Sequence, residues 1–202
     1  MEQKNIETLT LKEIKNRLEG QVAATDMPMM EPGFAMLYGG KRQFGKAAVP
    51  HCPYRLPGIR MGLFIKGEAQ ITLNLIPRHL SGNTLTFFCD GTILQIDGIS
   101  SDSDVRGVLV EPWLMNELFP QGVPTMFNGQ VKDALMPIDD RTFAKIQHLY
   151  EALALVLRDK PVCRSAALSI ISALCSVYSE YYGRVSEHPA EAPSRQRLLF
   201  DA

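Results

Sequence analysis

The sequence has few of the residues that build metal or nucleophilic sites. Its 202 residues include four cysteines and four histidines, and neither a C-x-x-C pair nor a His-x-His pair occurs. No apolar run approaches the roughly 18 residues of a membrane span, and Met1–Asn5 leads into polar residues rather than into the apolar stretch of a secretory signal. We therefore expect a cytoplasmic protein with reduced cysteines, a single disulfide being the alternative.

Net charge is also nearly absent. The chain carries 21 Lys and Arg residues against 22 Asp and Glu residues, which gives a net charge of −1. Such a chain has no global positive field to hold nucleic acid, so any DNA-reading part would be weak, local or missing from this chain. The composition is otherwise that of an ordinary globular protein, with 46% hydrophobic residues. It fits one domain with a hydrophobic core, with or without a short additional segment.

The patterns of common catalytic sites are missing. A metal-dependent enzyme on a β-barrel would need converging imidazole and carboxylate ligands. The strands where these ligands would lie instead read Gly62–Ile65 and Ile93–Gln95. There is no G-x-S-x-G nucleophile motif and no phosphate-binding glycine loop. We expect no catalytic residue, no metal and no other cofactor, and therefore a protein that is not an enzyme.

The N-terminal quarter predicts a short helix followed by an irregular arm. Thr10 and Glu13 form the T-x-x-E pattern of a capping box. The helix after it would bury one face that includes Ile14 and Leu18. Between residues 26 and 57, prolines, glycines and a cluster of methionines predict irregular structure that packs against a core.

Residues 58–110 predict short antiparallel strands. Side chains of Arg60–Lys66 alternate between two faces, and a second alternation runs over residues 69–75. Turn signals follow at residues 81–83 and at Asp90–Gly91, where a hairpin is expected. Short strands at such regular spacing favour a β-sandwich or barrel over a parallel sheet.

The last third predicts a helical hairpin. Its first helix has an apolar stripe at three- and four-residue steps, formed by Phe143, Ile146, Tyr150, Leu153 and Leu157. The second helix begins after Pro161, and its stripe is Ala167, Ile171, Leu174, Tyr178 and Tyr181. A partial second face adds Ile170 and Val177. A helix that is apolar on more than one face packs on more than one partner, here its hairpin mate plus either the barrel or a second subunit.

The C-terminal segment predicts the start of a further domain. Residues 186–202 contain a proline-bearing linker and then the first turns of another helix at Ser194–Phe200. So short a helix has nothing to pack on, and we expect the natural protein to continue beyond Ala202. A frayed natural C-terminus is the alternative.

One short motif points to a different function. Arg164–Ala167 resembles the Arg-Ser-Ala segment with which cyclic-nucleotide-binding β-rolls hold a phosphate. Here it opens a helix after Pro161 instead of lying inside a barrel, which favours the surface of a helix N-terminus. A small-molecule-binding β-roll of that type is therefore kept as an alternative to the function inferred below. A cupin enzyme is the less favoured second alternative.

Strand-and-turn segments lie at Pro53–Leu56, Gly62–Ala69, Asn83–Leu85 and Gly91–Gln95, and a strand-to-short-helix step lies at Val110–Leu114. Through these segments, residues 51–110 and the step that follows them resemble the N-terminal cupin-like domain of AraC-type transcriptional regulators. Members of that family run from strand to Lys-Gly or Arg-Gly turn to strand, and Lys66–Gly67 stands at that point here. Residues 81–83 and Asp90–Gly91 replace turns in which the family often has proline.

The resemblance implies a fold, a domain order and a function. The fold would be α+β, a jelly-roll-type antiparallel β-barrel followed by a two-helix antiparallel hairpin. Residues 1–140 would form an N-terminal arm and sensor barrel, 141–185 a dimerisation hairpin, and 186–202 a linker and the start of a helix-turn-helix domain. The function would be effector sensing and dimerisation, with DNA bound only through the missing C-terminal domain.

The resemblance also implies a homodimer in which the second long helix pairs with its copy. The residues expected at that interface are Ile170, Ile171, Leu174, Val177, Tyr178 and Tyr181.

The family supplies no effector-binding residues, so the pocket is inferred from chemistry alone. One face of the first long strand offers Arg60, Phe64 and Lys66, and the other offers Met61, Leu63 and Ile65. Further walls are expected from Phe87, Gln95 and Trp113. An Arg or Lys enclosed by apolar strands would favour an anionic small molecule, whereas basic side chains that reach the surface would leave the pocket neutral.

Overall fold

The computed structural model describes residues 6–23, 27–38 and 46–187. Its strands are β1 Glu7–Thr8, β2 Met29–Glu31, β3 Phe34–Tyr38, β4 Pro53–Leu56, β5 Ile59–Lys66, β6 Glu68–Leu73, β7 Ile76–Ser81, β8 Thr84–Phe88, β9 Thr92–Ile99, β10 Asp104–Val110 and β11 Asp133–Pro137. Its helices are α1 Leu11–Leu18, α2 Pro112–Leu118, α3 Asp140–Arg158 and α4 Arg164–Glu187. Two stacked sheets and the pair of long helices form three layers.

The two sheets differ in their neighbours. The middle sheet has six strands in the order β11-β8-β5-β10-β3-β2, and α3 and α4 pack on it. The outer sheet has five strands in the order β1-β4-β9-β6-β7. Neighbouring strands are antiparallel except β1 and β4. Within the described residues the sheets do not close into a barrel, so the predicted α+β jelly-roll fold with a helical hairpin is confirmed in an open two-sheet form.

The predicted hairpin at Asp90–Gly91 is wrong. This turn joins β8 of the middle sheet to β9 of the outer sheet, so the strands on either side are not paired. The Asp90 carboxylate accepts a hydrogen bond from the Gly58 N–H at 2.6 Å, and the Gly91 N–H donates to the Leu56 carbonyl at 2.8 Å. The turn therefore secures a corner at which the chain passes between sheets.

A tight hairpin lies instead at Asn74–Leu75, inside the segment predicted as one alternating strand. Both residues have positive φ, 47° and 71°, a conformation that is costly for leucine. The Asn74 side chain holds the turn, because its Nδ2 donates to Asp133 Oδ2 at 2.9 Å and its Oδ1 accepts from the Ile93 N–H at 3.1 Å. The alternation was misleading because Leu75 is 79% exposed.

The methionine-rich segment is more regular than predicted. Residues 29–38 form the hairpin of β2 and β3 at the edge of the middle sheet. The hairpin turns at Gly33, whose φ is +85°. Phe34, Ala35 and Met36 are all buried, so β3 lacks the polar alternation that marks a half-exposed strand.

Helix α1 closes one end of the space between the sheets. Its predicted capping box is present, with the Glu13 N–H donating to Thr10 Oγ1 at 3.2 Å and the Thr10 N–H donating to Glu13 Oε2 at 2.6 Å. Ile14 and Leu18 are buried in a cluster that also contains Tyr54 of the outer sheet. The apolar face of α1 thus covers this open end of the two-sheet structure.

The predicted helical hairpin is present as α3 and α4. The Asp139 carboxylate caps α3 by accepting a hydrogen bond from the Thr142 N–H at 2.7 Å. The two predicted stripes lie in one hydrophobic cluster with β5, β8 and β10 of the middle sheet. The predicted linker and further helix within residues 188–202 lie outside the described residues.

Candidate ligand-binding site

The space between the two sheets contains a cavity of about 90 Å³. The middle sheet lines it with Phe64, Thr86, Phe88 and Val105, and the outer sheet with Ala69, Ile71, Leu80, Leu94, Ile96 and Ile99. Thr86 is the one polar residue of this lining. Small molecules bind in such concave and mostly apolar spaces that carry few polar groups.

A second cavity of about 40 Å³ lies at the α1 end. Its lining shares Leu94 and Ile96 with the first cavity, so the two spaces adjoin along β9. Ile14 and Leu18 of α1 close it, and Arg60 of β5 is the charged residue in its lining. The inter-sheet space therefore combines a larger apolar part with a smaller part that a guanidinium reaches.

The alternation of β5 decides which of the two predicted faces lines the pocket. Arg60 and Phe64 face the outer sheet and line the cavities, whereas Met61 and Leu63 pack toward the helices. Between the two inward side chains stands Gly62, where an added Cβ would lie 2.4 Å from Thr86 Oγ1. The absence of a side chain at Gly62 leaves room for the Thr86 hydroxyl.

Arg60 is incompletely satisfied. Its Nη2 donates to the Leu9 carbonyl at 3.0 Å and to the Pro57 carbonyl at 3.3 Å. Its Nε is enclosed and has no hydrogen-bond partner among residues 6–23, 27–38 and 46–187. Burial lowers the pKa of Arg60 to about 10, and Asp90 opposes this shift from a distance. At neutral pH the guanidinium is still protonated, so the half-buried Arg60 side chain brings a positive charge to the lining of the smaller cavity.

The other predicted pocket residues lie elsewhere. Lys66 is exposed at the end of β5, and Phe87 is buried on the helix side, where its ring meets Phe127 edge-on at 5.5 Å. Gln95 donates to Asp97 Oδ1 at 2.5 Å, away from the inward Leu94 and Ile96 of the same strand.

Trp113, the last of the predicted walls, is 51% exposed on α2, and its Nε1 donates to Glu111 Oε2 at 2.6 Å.

The cavity walls that were not predicted are the alternating apolar residues of β6 and β9. Their period of two was visible, but which face turned inward was not.

Two tyrosines connect the helical hairpin to β5. The Tyr178 hydroxyl donates to the Gly62 carbonyl at 2.6 Å, and the Tyr150 hydroxyl donates to the Met61 carbonyl at 3.0 Å. The two hydroxyls lie 3.2 Å apart. Burial raises the pKa of both tyrosines, so they remain protonated donors. The strand that lines the cavities is thus bonded from behind by both long helices.

Most of the predicted dimerisation residues are buried within their own chain. Ile171, Leu174 and Tyr178 are completely buried, and Tyr181 is 7% exposed with its hydroxyl bonded to the Pro137 carbonyl at 2.6 Å. A side chain without exposed surface does not reach a second chain. Of the predicted set, Ile170 and Val177 keep accessible surface, so they remain the candidates for an intermolecular contact.

The motif that suggested a cyclic-nucleotide site lies outside the inter-sheet space. Arg164 begins α4, its Nη1 donates to the Pro32 carbonyl at 2.7 Å, and its guanidinium lies over the Phe34 ring at 5.7 Å. Among the described residues no group of three His, Cys, Asp or Glu side chains is placed to hold a metal ion. All four cysteines are unpaired.

No described helix combines the length and apolarity needed to cross a membrane.

Comparisons with known proteins give structural similarity at very low sequence identity. No family model matches the sequence, and no curated protein matches it significantly. An apo structure of ToxT from Vibrio cholerae has 10% identity and a TM-score of 0.48, covering 75% of this chain and 57% of ToxT. A ToxT structure with bound unsaturated fatty acid has 9% identity and a TM-score of 0.40, covering 74% of this chain and 54% of that chain.

The AraC-like transcriptional activator CuxR has 7% identity and a TM-score of 0.43, covering 84% of this chain and 66% of CuxR. This chain therefore spans less than two thirds of the length of each of these proteins. The structural neighbours are AraC-family regulators, the family whose resemblance was noted in the sequence.

Proposed function

We propose that this chain is the effector-sensing and dimerisation region of a cytoplasmic AraC-type transcriptional regulator and that it catalyses no reaction. The observation that carries the proposal is the position of β5. One face of this strand lines the inter-sheet cavities, and the other carries the two long helices. A single strand therefore contacts both the space for an effector and the elements proposed to pair.

The contacts around β5 give a route from effector to helices. An occupant that moved Phe64 or Thr86 would move the strand segment that includes Gly62. The carbonyls of Met61 and Gly62 accept hydrogen bonds from the hydroxyls of Tyr150 and Tyr178. A displacement of the strand would therefore also shift α3 and α4. Coupling of this kind requires that the occupant favour one of two arrangements of the strand and helices.

The surface proposed for dimerisation is the partly buried flank of α4 that carries Ile170 and Val177. Ile170 and Val177 stand one heptad apart, so they lie on the same side of the helix, next to the buried stripe. Self-complementary pairing of one helix with its copy is the usual geometry of a two-fold dimer. DNA would be bound by a segment outside this chain, in keeping with the net charge of −1.

The dimer proposal is tested by the mass in solution, measured by light scattering. We expect twice the chain mass for the wild type and a monomer for the double variant Ile170→Glu/Val177→Glu. The matched control is Ser169→Glu/Ser176→Glu, which places the same charges on exposed neighbouring positions of α4 and should leave the dimer intact. A wild-type monomer over the whole concentration range would contradict this part of the proposal.

The alternative as a cyclic-nucleotide β-roll has a separate test. Its phosphate would need Arg164, but that side chain is engaged with Pro32 and Phe34 outside the inter-sheet space. We expect calorimetric titration with cyclic AMP to give no heat of binding. Saturable binding that Arg164→Gln abolishes would favour the alternative instead.

A further inference from the structure

The inter-sheet space holds a positive charge that the described residues leave uncompensated. Arg60 makes no ion pair with a carboxylate of residues 6–23, 27–38 or 46–187. Its hydrogen bonds to described residues both run from Nη2 to backbone carbonyls. Asp90 is the acidic group that acts on it, but only through space, and its Oδ1 is occupied by the Gly58 N–H at 2.6 Å. A buried charge without a paired anion is unfavourable unless a ligand completes the site.

Arg60 lines the smaller cavity with donors that lack acceptors. Its Nη1 makes no hydrogen bond with a described residue, and neither does its enclosed Nε. A guanidinium presents its N–H groups as a fork that matches the two oxygens of a carboxylate. The geometry therefore favours a planar oxyanion at this position.

The neighbouring space is apolar. From Arg60, the inward face of β5 continues past Gly62 to Phe64, which lies four positions or about 13 Å along the strand. Leu94 and Ile96 line both cavities, so the apolar walls run from the guanidinium into the larger cavity without a charged residue in the lining between them. An occupant that fills both parts has one charged end and one apolar end.

We propose that the inter-sheet space binds a small organic monocarboxylate, with its carboxylate at Arg60 and its apolar tail in the cavity lined by Phe64, Ile71 and Ile96. This inference rests on the proposed sensing function and names the class of effector. The size of the tail is limited by the space: a cavity of about 90 Å³ is smaller than the roughly 150 Å³ engineered cavity that holds benzene. A tail of a few carbon atoms fits, and a long acyl chain does not.

The charge requirement is tested on the whole 202-residue chain by calorimetric titration with hexanoate and with its neutral analogue hexanamide. We expect hexanoate to bind at least tenfold more tightly, because the amide leaves the guanidinium charge unpaired. This comparison uses only the wild type, so it does not depend on whether a variant folds. Equal binding of the two probes would overturn the anionic inference while leaving a ligand-sensing function in place.

The role of Arg60 itself is tested by Arg60→Met and by Arg60→Gln, with Arg55→Met on the exposed side of β4 as the matched control. Both Arg60 variants should bind hexanoate no better than the wild type binds hexanamide, and the control should bind it as the wild type does. Hexanoate affinity that survives in a folded Arg60 variant would place the carboxylate elsewhere and overturn the assignment.

The contribution of the apolar tail is tested by a series of acetate, butanoate, hexanoate and decanoate. Inorganic phosphate serves as an anion without a tail. Affinity should rise about fourfold per methylene while the tail enters the apolar cavity and should then stop rising. Phosphate or acetate binding as tightly as hexanoate would overturn the apolar part of the site. If no carboxylate binds, the inference fails, and the proposed function is still judged separately by the dimer mass.

Discussion

The two faces of the middle sheet are filled in different ways. On the helix side, Leu63, Leu174 and Tyr178 are completely buried, and the tyrosine hydroxyls find acceptors. On the side toward the outer sheet there are two cavities and a guanidinium Nε without a partner in the described residues. Close packing is the normal state of a protein interior, and voids and orphaned donors are rare. The comparison indicates that the helix side stabilises the fold, and it supports the proposal that the inter-sheet side holds an occupant.

The largest expected difference comes from the same substitution on both sides. Leu174→Ala should lower the free energy of unfolding by about 3–5 kcal/mol, because it opens a void among tightly packed side chains. Leu80→Ala, in the wall of the existing cavity, should cost only about 2 kcal/mol. Urea unfolding of the two variants measures both values. Equal costs would break the contrast between the two sides.

A smaller effect is expected from the tyrosine that bonds β5. Tyr178→Phe removes the donor to the Gly62 carbonyl and should lower the free energy of unfolding by about 1–2 kcal/mol. Tyr182→Phe is the control, because no hydrogen bond from its hydroxyl to a described residue is present. Thermal unfolding of the pair separates the hydroxyl contact from a general loss of polarity. No difference between them would mean that the bond to Gly62 contributes nothing to stability.

The cap of α3 should contribute about 1 kcal/mol, and that contribution should depend on pH. The hydrogen bond from the Thr142 N–H holds the pKa of Asp139 below its ordinary value. A carboxyl with a lowered folded pKa stabilises the protein above its unfolded pKa of about 3.9, and this is lost as pH falls through the folded value. Asp139→Ala should therefore be less stable than the wild type at pH 6, and this difference should shrink as the pH falls below about 3.9. A difference that persists unchanged at pH 2 would exclude the charged cap as its cause.

The smallest effect is expected inside the cavity. The Thr86 hydroxyl is bonded to no described residue, so Thr86→Val should change the free energy of unfolding by less than about 0.5 kcal/mol. The measurement is again urea unfolding, with Thr92→Val as the control, because the Thr92 hydroxyl donates to the Cys89 carbonyl at 2.8 Å. A loss at Thr86 as large as that at Thr92 would show that the cavity side is also under full structural constraint.

The helices were well predicted from the sequence because their apolar periodicity and caps are local. The Thr10–Glu13 box and both stripes of the hairpin are found where expected. The strands of the jelly roll were predicted as strands, but their partners were not. A turn such as Asp90–Gly91 has the same local sequence whether it closes a hairpin or passes between sheets.

The candidate site was predicted only in part. Arg60 and Phe64 were named, yet β5 is buried on both faces, so its sequence pattern could not tell which face lines the cavities. The roles given to Phe87 and Trp113 depended on which layer each residue would meet, and that is decided by long-range packing. For the same reason the burial of Leu174 against the middle sheet was not visible from its helical stripe.

The most direct test is whether a small molecule that enters the inter-sheet space also changes the environment of the helices behind β5. Methyl-labelled NMR spectra of the chain would be recorded with hexanoate and, separately, with neutral 1-hexanol. The account predicts that at least one probe shifts the cavity methyls of Ile71, Ile96 and Leu80, together with those of Ile171 behind β5. Shifts confined to the exposed Leu75 and Ile76, or none at saturating concentrations of both probes, would contradict it.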